Sequence, residues 1–356
     1  MISLENRTGR YLSWLNRQPV EHPLVGLLWE PDIPPLPEFL AGIGEGVEIH
    51  PQDLEPPIFL DYINQCHEIE QQLDHMAITA YSPAFGMPWV EAIAGCRVRA
   101  EPGSLWAEPL FESYDDRPEI RFSIDDPWMK CLLQFTRALV KAADGRYPIA
   151  LPQMRGPLDI LAAMRTPTQL CLDVIDIPEK VTQALGELAD LWIGTASVLL
   201  NEIPPFKGGW CSRMKMWSPG PAITPQNDVS TLLSPDAYRR LVFPFDRRIF
   251  SAFPFHSFHM HSTEFRHIPC LLESEKLTAI QLTLDFEAGG PSFDILMEYA
   301  SRILARKPLL LAALDTDTAD RCIERLPAAG LAVMVAMNTT EFSPGLKHWL
   351  AQQARK

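Results

Sequence analysis

The chain has 356 residues, 47% of them hydrophobic and 21% charged, with a formal net charge of −14. This composition supports a large buried core and excludes a disordered polar chain. The acidity argues against nucleic acid, whose phosphates attract basic surfaces, and a polyanionic substrate would need a local arginine cluster to override the field.

No apolar run reaches the roughly 18 residues needed to span a bilayer. The first residues, MISLENRTGRYLSWLN, lack the apolar stretch of a signal peptide. A cytoplasmic protein is therefore expected. Seven scattered cysteines form no CxxC pair, so they read as small buried apolar residues rather than a disulfide framework.

Residues 1–23 read as a helical extension, with Tyr11, Leu12, Trp14 and Leu15 on or near its apolar side. LVGLLW (24–29), HMAITAY (75–81) and YPIALPQM (147–154) read as strands, and PDIPPLPEF (31–39) and HPQDLEPP (50–57) as loops. Residues 82–127 read as an insertion outside the main repeat, with SLWAEPLFES (104–113) as one arm of a hairpin. Helices are expected over 128–145 and 178–203.

The second half alternates regularly. A helix over 234–253 starts with Ser234 as cap and Pro235 in its first turn, and Pro244 should kink or divide it. Strands follow at 255–260, 277–285, 308–314 and 331–337, separated by helices at 263–274, 291–307 and 315–330. A last helix lies in TEFSPGLKHWLAQQA. Short apolar runs alternating with helices imply a parallel sheet covered on both faces. The fold class is α/β, and a single (β/α)8 TIM-type barrel with an N-terminal extension and a hairpin insertion is the most economical reading. A doubly wound open sheet is the runner-up, but no GxGxxG follows an early strand.

Barrel chemistry gathers at the C-terminal ends of the strands. Polar residues expected there are Arg155 and Asp159, Asn227 and Asp228, His259 and His261, Asp285 and Glu287, Asp315 and Asp317, and Asn338. Many such Asp and Asn residues serve only as caps and turns. The segment FHSFHMHSTEFRH (255–267) holds four of the nine histidines. Strand side chains alternate, so His259 and His261 share a face and His256 takes the other. An HxH pair suits a metal site and needs a further ligand from elsewhere. The alternative is two hydrogen-bonded histidines near a strand end. Asp228 and Asp285 are candidates for handling a proton or positioning a substrate. A substrate pocket is expected among Arg155, Asp159, Trp210, Trp217, Asn227 and Gln281, with barrel core as the other reading of the tryptophan region.

GPLDILAAMR (156–165), LCLDVIDIPEKVTQALGELADLW (170–192), WSPGPAITPQNDVSTLLSPDAYRRLVFPF (217–245) and FHMHSTEFRHIPCLLESEKLTAIQ (258–281) resemble the uroporphyrinogen decarboxylase superfamily. GMPWVEAIAGCRVR (86–99) adds a weaker match. That superfamily includes the haem-pathway decarboxylase and cobalamin-dependent methyltransferases. In the methyltransferase branch the resemblance implies zinc on an HxC pair and a later cysteine. Here the histidine matches His259, His261 replaces the HxC cysteine, and the later cysteine falls at Met337 and Asn338. The decarboxylase branch carries RQAGRY after its first strand, whereas this chain has LVGLLWEPDIPPLP there, with Glu30 and Asp32 and no arginine. A polycarboxylate would meet acid where it needs guanidinium forks.

The resemblance therefore implies a zinc-assisted methyl transfer or O-demethylation on a small substrate. The corrinoid would sit on a separate protein, because the chain has no DxHxxG cobalamin motif. A homodimer is also implied. Two alternatives stand beside this reading: a metal-free lyase or decarboxylase with His259 as proton donor, and a non-catalytic barrel that binds a small ligand.

Overall fold

The computed structural model describes residues 2–29, 42–73, 75–83, 86–102, 104–286 and 288–337. Glu30, Asp32, Glu287, Asn338, the loop at 31–39 and the expected last helix lie outside these residues. Among the described residues there are eleven strands, numbered in chain order. They are β1 (Leu24–Trp29), β2 (Glu48–Ile49), β3 (Val98–Glu101), β4 (Ser104–Ala107), β5 (Trp210–Cys211), β6 (Trp217–Ser218), β7 (Ala222–Ile223), β8 (Phe255–His261), β9 (Ala279–Thr283), β10 (Leu309–Leu314) and β11 (Leu331–Met337).

Six strands form one parallel sheet in the order β1-β11-β10-β9-β8-β7, curled into a half-barrel. Eight were expected. The segments 75–81 and 147–154 form no ladder: they meet at one parallel bridge, Tyr81 to Ile149. Prolines at 148 and 152 remove two N–H donors from the second segment, which limits any ladder there. β2, β3 and β4 make a separate antiparallel sheet, and β5 and β6 pair as an antiparallel hairpin.

Strand alternation explains both faces of the main sheet. Val25, Leu27, Phe258, Leu282, Leu311 and Val333 face one large core that includes the helices Pro127–Ala143, Pro178–Glu202 and Phe293–Leu304. Leu24, Ala222, Ala279, Leu310 and Ala332 face the concave side instead. There they pack with Met216 and Trp217 of the β5–β6 region and with Tyr11 and Trp14 of the first helix, Leu4–Leu15. The N-terminal helix and the hairpin thus fill the concave side where the strands begin.

The expected helix at 234–253 is divided. A turn at Pro235–Ala237 passes into a wide π-type turn, Tyr238–Val242, before the helix Phe243–Ala252. Pro244 falls in the first turn of that last piece, where its missing N–H costs no helical bond. The helix expected at 263–274 is shorter, with a 3-10 turn at Ser262–His267 followed by Ile268–Leu271. Among the described residues, no helix is long and apolar enough to cross a membrane.

Candidate metal centre

β8 and β9 run in a parallel register that sets His259 beside Gln281 and His261 beside Thr283. His259, His261 and Gln281 fall on the concave side, above the apolar cluster at the strand beginnings. Asp228 arrives from the turn after β7, the 3-10 segment Asp228–Leu232. Gln226 bridges to His259, and His259 N–H donates to Pro225 O at 2.9 Å, so this turn is stitched to β8.

One carboxylate oxygen of Asp228 and one ring nitrogen from each histidine all lie within 4.8 Å of one another. The two Nε2 atoms of His259 and His261 are 3.3 Å apart. The other ring nitrogens are already engaged. His259 Nδ1 meets Gln281 Oε1, whose amide is oriented by Nε2 donating to Thr283 Oγ1 at 3.0 Å. His261 Nδ1 lies 2.9 Å from Asp285 Oδ2. Both partners are acceptors, so both Nδ1 atoms carry the proton and both Nε2 atoms present lone pairs. Two lone pairs face each other with a carboxylate beside them. Asp228 Oδ2 accepts from Gln226 Nε2 at 2.9 Å, whereas its Oδ1 is buried without a hydrogen-bond partner among the described residues. Three convergent electron-pair donors, beside a carboxylate that keeps one oxygen without a hydrogen-bond partner among the described residues, are an arrangement a divalent cation satisfies.

Electrostatics agree with this geometry. Burial pulls the His259 imidazole down to about 4, against the opposing bond from Gln281. It is therefore neutral near pH 7, as a metal ligand must be. Behind Asp228, burial and the Asp228 charge push the Asp159 carboxyl up to about 8. Burial, joined by the Asp228 charge, drives Glu264 well above the usual carboxylate range.

No family model matches the chain, and no curated protein matches it in sequence. A solved structure does. A methyltransferase from Methanosarcina mazei shares the fold, with a TM-score of 0.66 over 98% of this chain and 98% of that one, at 14% identity. That likeness shows a common architecture.

The other residues singled out in the sequence fall in three groups. Gln281 and Asp285 touch the histidines and fix their ring tautomers. Asp159 and Asn227, expected in a substrate pocket, hold the backbone of the Asp228 turn in this structure. Asp159 is buried and accepts Asp228 N–H and Val229 N–H, both at 2.9 Å. Asn227 is buried, donates to Asp246 at 2.7 Å and accepts Leu158 N–H at 3.1 Å. Gly156 permits this approach, because a Cβ there would collide with Gln226 O and Asn227 Oδ1. The third group makes its contacts with other residues. Arg155 pairs with the buried Glu91 at 3.5 Å. Trp210 Nε1 donates to Ile203 O, and Trp217 Nε1 donates to Phe206 O within the apolar cluster at the strand beginnings.

Sequence reasoning missed Glu264 and Ser230. Glu264 Oε2 accepts His261 N–H, and Oε1 accepts the Ser230 hydroxyl, both at 2.7 Å. The available signal was the glutamate three residues after His261, the spacing of a capping box.

Proposed function

We propose that this chain is a metal-dependent methyltransferase of the barrel type, related to the uroporphyrinogen decarboxylase superfamily. Asp228, His259 and His261 hold a divalent cation, with zinc the first choice for a nitrogen and oxygen donor set. The methyl group is exchanged with a corrinoid on a separate protein, and the second substrate is a small molecule. The observation that carries this reading is the convergence of two imidazole lone pairs and a carboxylate oxygen of Asp228. The shared fold with a methyltransferase supports it.

The resemblance's later cysteine falls near Met337 and Asn338, where this chain has no cysteine, and in this reading Asp228 supplies the third ligand instead. A bound cation supplies Lewis acidity that favours the anionic form of a small substrate. The chain's own residues do the rest. Gln281 and Asp285 hold the Nδ1 protons, so the Nε2 atoms stay available. Asp228 offers charge where the relatives in the resemblance offer thiolate. Oxygen in place of sulfur makes the site harder and more electrophilic. The metal-free lyase reading needs a protonated His259, which burial opposes near pH 7.

The test follows the visible spectrum of methylcob(III)alamin mixed with the zinc-loaded protein and a panel of small thiols. Loss of the methyl–cobalt chromophore is expected, abolished by a chelator and restored by zinc. Turnover that survives complete removal of metal would contradict the metal-dependent reading. A fully loaded protein that never dealkylates the corrinoid would contradict methyl transfer.

A further inference from the structure

The turn that carries Asp228 is tethered residue by residue. Asn227 is held by Asp246 and by Leu158 N–H. Asp228 N–H and Val229 N–H are held by Asp159. Ser230 is held twice, its hydroxyl by Glu264 at 2.7 Å and its carbonyl by His267 Nε2 at 2.8 Å. His267 in turn stacks on Tyr238 with ring centroids 4.4 Å apart, and Tyr238 O–H donates to Asp246 at 2.5 Å. A closed ring of buried polar contacts therefore surrounds the turn.

Within that ring, Glu264 is the side chain that also grips a histidine of the triad. One of its oxygens takes His261 N–H and the other takes Ser230 O–H. The side chain is buried, so both bonds form away from competing water. A single planar carboxyl thus spans two chain segments whose ligands must converge. Burying a carboxyl is costly, and a plain helix cap on the surface would serve His261 N–H at lower cost.

We propose that Glu264 is a positioning residue of the cation site: it clamps the Asp228 turn to the His261 strand end and presets the spacing of their ligand atoms. The proposal rests on the three-ligand reading above. Glu264 does not touch the cation. It acts through the backbone of His261 and through Ser230. Outer partners that orient ligands typically carry about 10–100-fold in metal affinity.

The test titrates the apo protein with cobalt(II) and reads the visible d–d bands, in parent, Glu264→Ala, Glu264→Gln and Ser230→Ala. Glu264→Ala should bind cobalt about 10–100-fold more weakly, with altered bands at saturation. Glu264→Gln should stay within about threefold of the parent, because its carbonyl still accepts His261 N–H and its amide donates to the serine oxygen. Ser230→Ala cuts one arm of the clamp and should fall between them, and it carries the test if Glu264→Ala does not fold. Parent-like affinity and bands in the folded alanine variant, or in Ser230→Ala where that variant alone folds, would overturn the clamp while leaving the triad standing. Equal losses in Glu264→Gln and Glu264→Ala would also overturn it, because the shared hydrogen bonds would then not matter. A parent that binds no cobalt would overturn the clamp and the triad together.

Discussion

Each end of the curled sheet holds a buried histidine beside a carboxylate, and the two ends spend them differently. Near the strand beginnings, His75 Nδ1 accepts Leu27 N–H at 3.2 Å, so its Nε2 carries a proton and lies 2.9 Å from Glu70 Oε1. Thr79 O–H donates to the same Glu70 oxygen, and Lys215 Nζ donates to Thr79 Oγ1 at 2.8 Å. The Thr79 and Lys215 steps join a donor to an acceptor, and His75 faces Glu70 as an ion-pair contact, although Glu70 Oε2 has no hydrogen-bond partner among the described residues. Burial pushes the Glu70 carboxyl up, but Lys215, His75 and Thr79 outweigh it and hold it at about 2. At the other end the donors are turned away, toward Gln281 and Asp285, and three lone-pair atoms converge. The same residue types therefore make a structural plug at one end and a convergent donor set at the other. What separates them is which ring nitrogen carries the proton, and a neighbouring acceptor decides that.

This contrast breaks cleanly under substitution. Lys215→Met strips the plug of its cation and leaves Glu70 as an uncompensated buried charge. The cost should be about 3–5 kcal/mol of folding stability. Urea unfolding should show the loss, and zinc binding by the remaining folded protein should match the parent. A stability near that of the parent would mean that the plug is not an electrostatic unit.

The next effect concerns His256, on the opposite face of β8 from the triad. Its Nδ1 lies 3.1 Å from Thr278 Oγ1, and burial pulls the imidazole from 6.5 down to about 4. The folded value lies below the unfolded one. The stability this group contributes is thus fully present above the unfolded value and is lost as pH falls through the folded one. The linked loss is about 3 kcal/mol at most. Urea midpoints at about pH 7 and about pH 4.5 should differ more for the parent than for His256→Gln. An equal pH dependence in the two proteins would remove His256 from the acid sensitivity.

Asp285→Asn sharpens the comparison from the other side. It keeps an acceptor for His261 Nδ1–H but removes the negative charge behind the ring. Zinc affinity should fall by about 10–100-fold. Stability should change by less than about 1 kcal/mol, because the Asp285 side chain is partly exposed. A large stability loss with unchanged zinc affinity would place Asp285 in the scaffold rather than in the site.

Much of the scaffold was legible because the periodicities are strong. PLLLAAL and LAVMVAM read as strands from apolar runs alone, and they form β10 and β11. The segments 75–81 and 147–154 looked equally strand-like, yet pairing needs N–H groups as well as apolar side chains, and the prolines of the second lack them. In the site, the two-residue period of a strand separates His256 from His259 and His261, and the structure places their rings accordingly. Asp228 was visible as a polar strand-end residue, but not as a partner of imidazoles 31 and 33 positions away. Only the fold brings that turn beside β8. The backbone bonds of Asp159 and Asn227 were hidden for the same reason: a polar residue at a strand end looks alike in sequence whether it meets a ligand or a backbone N–H.

The most direct measurement is the zinc content of the protein purified without added metal, beside the His259→Ala/His261→Ala double variant. The three-ligand account predicts about one equivalent in the parent and none in a folded variant. No metal in either protein, or equal metal in both, would contradict it.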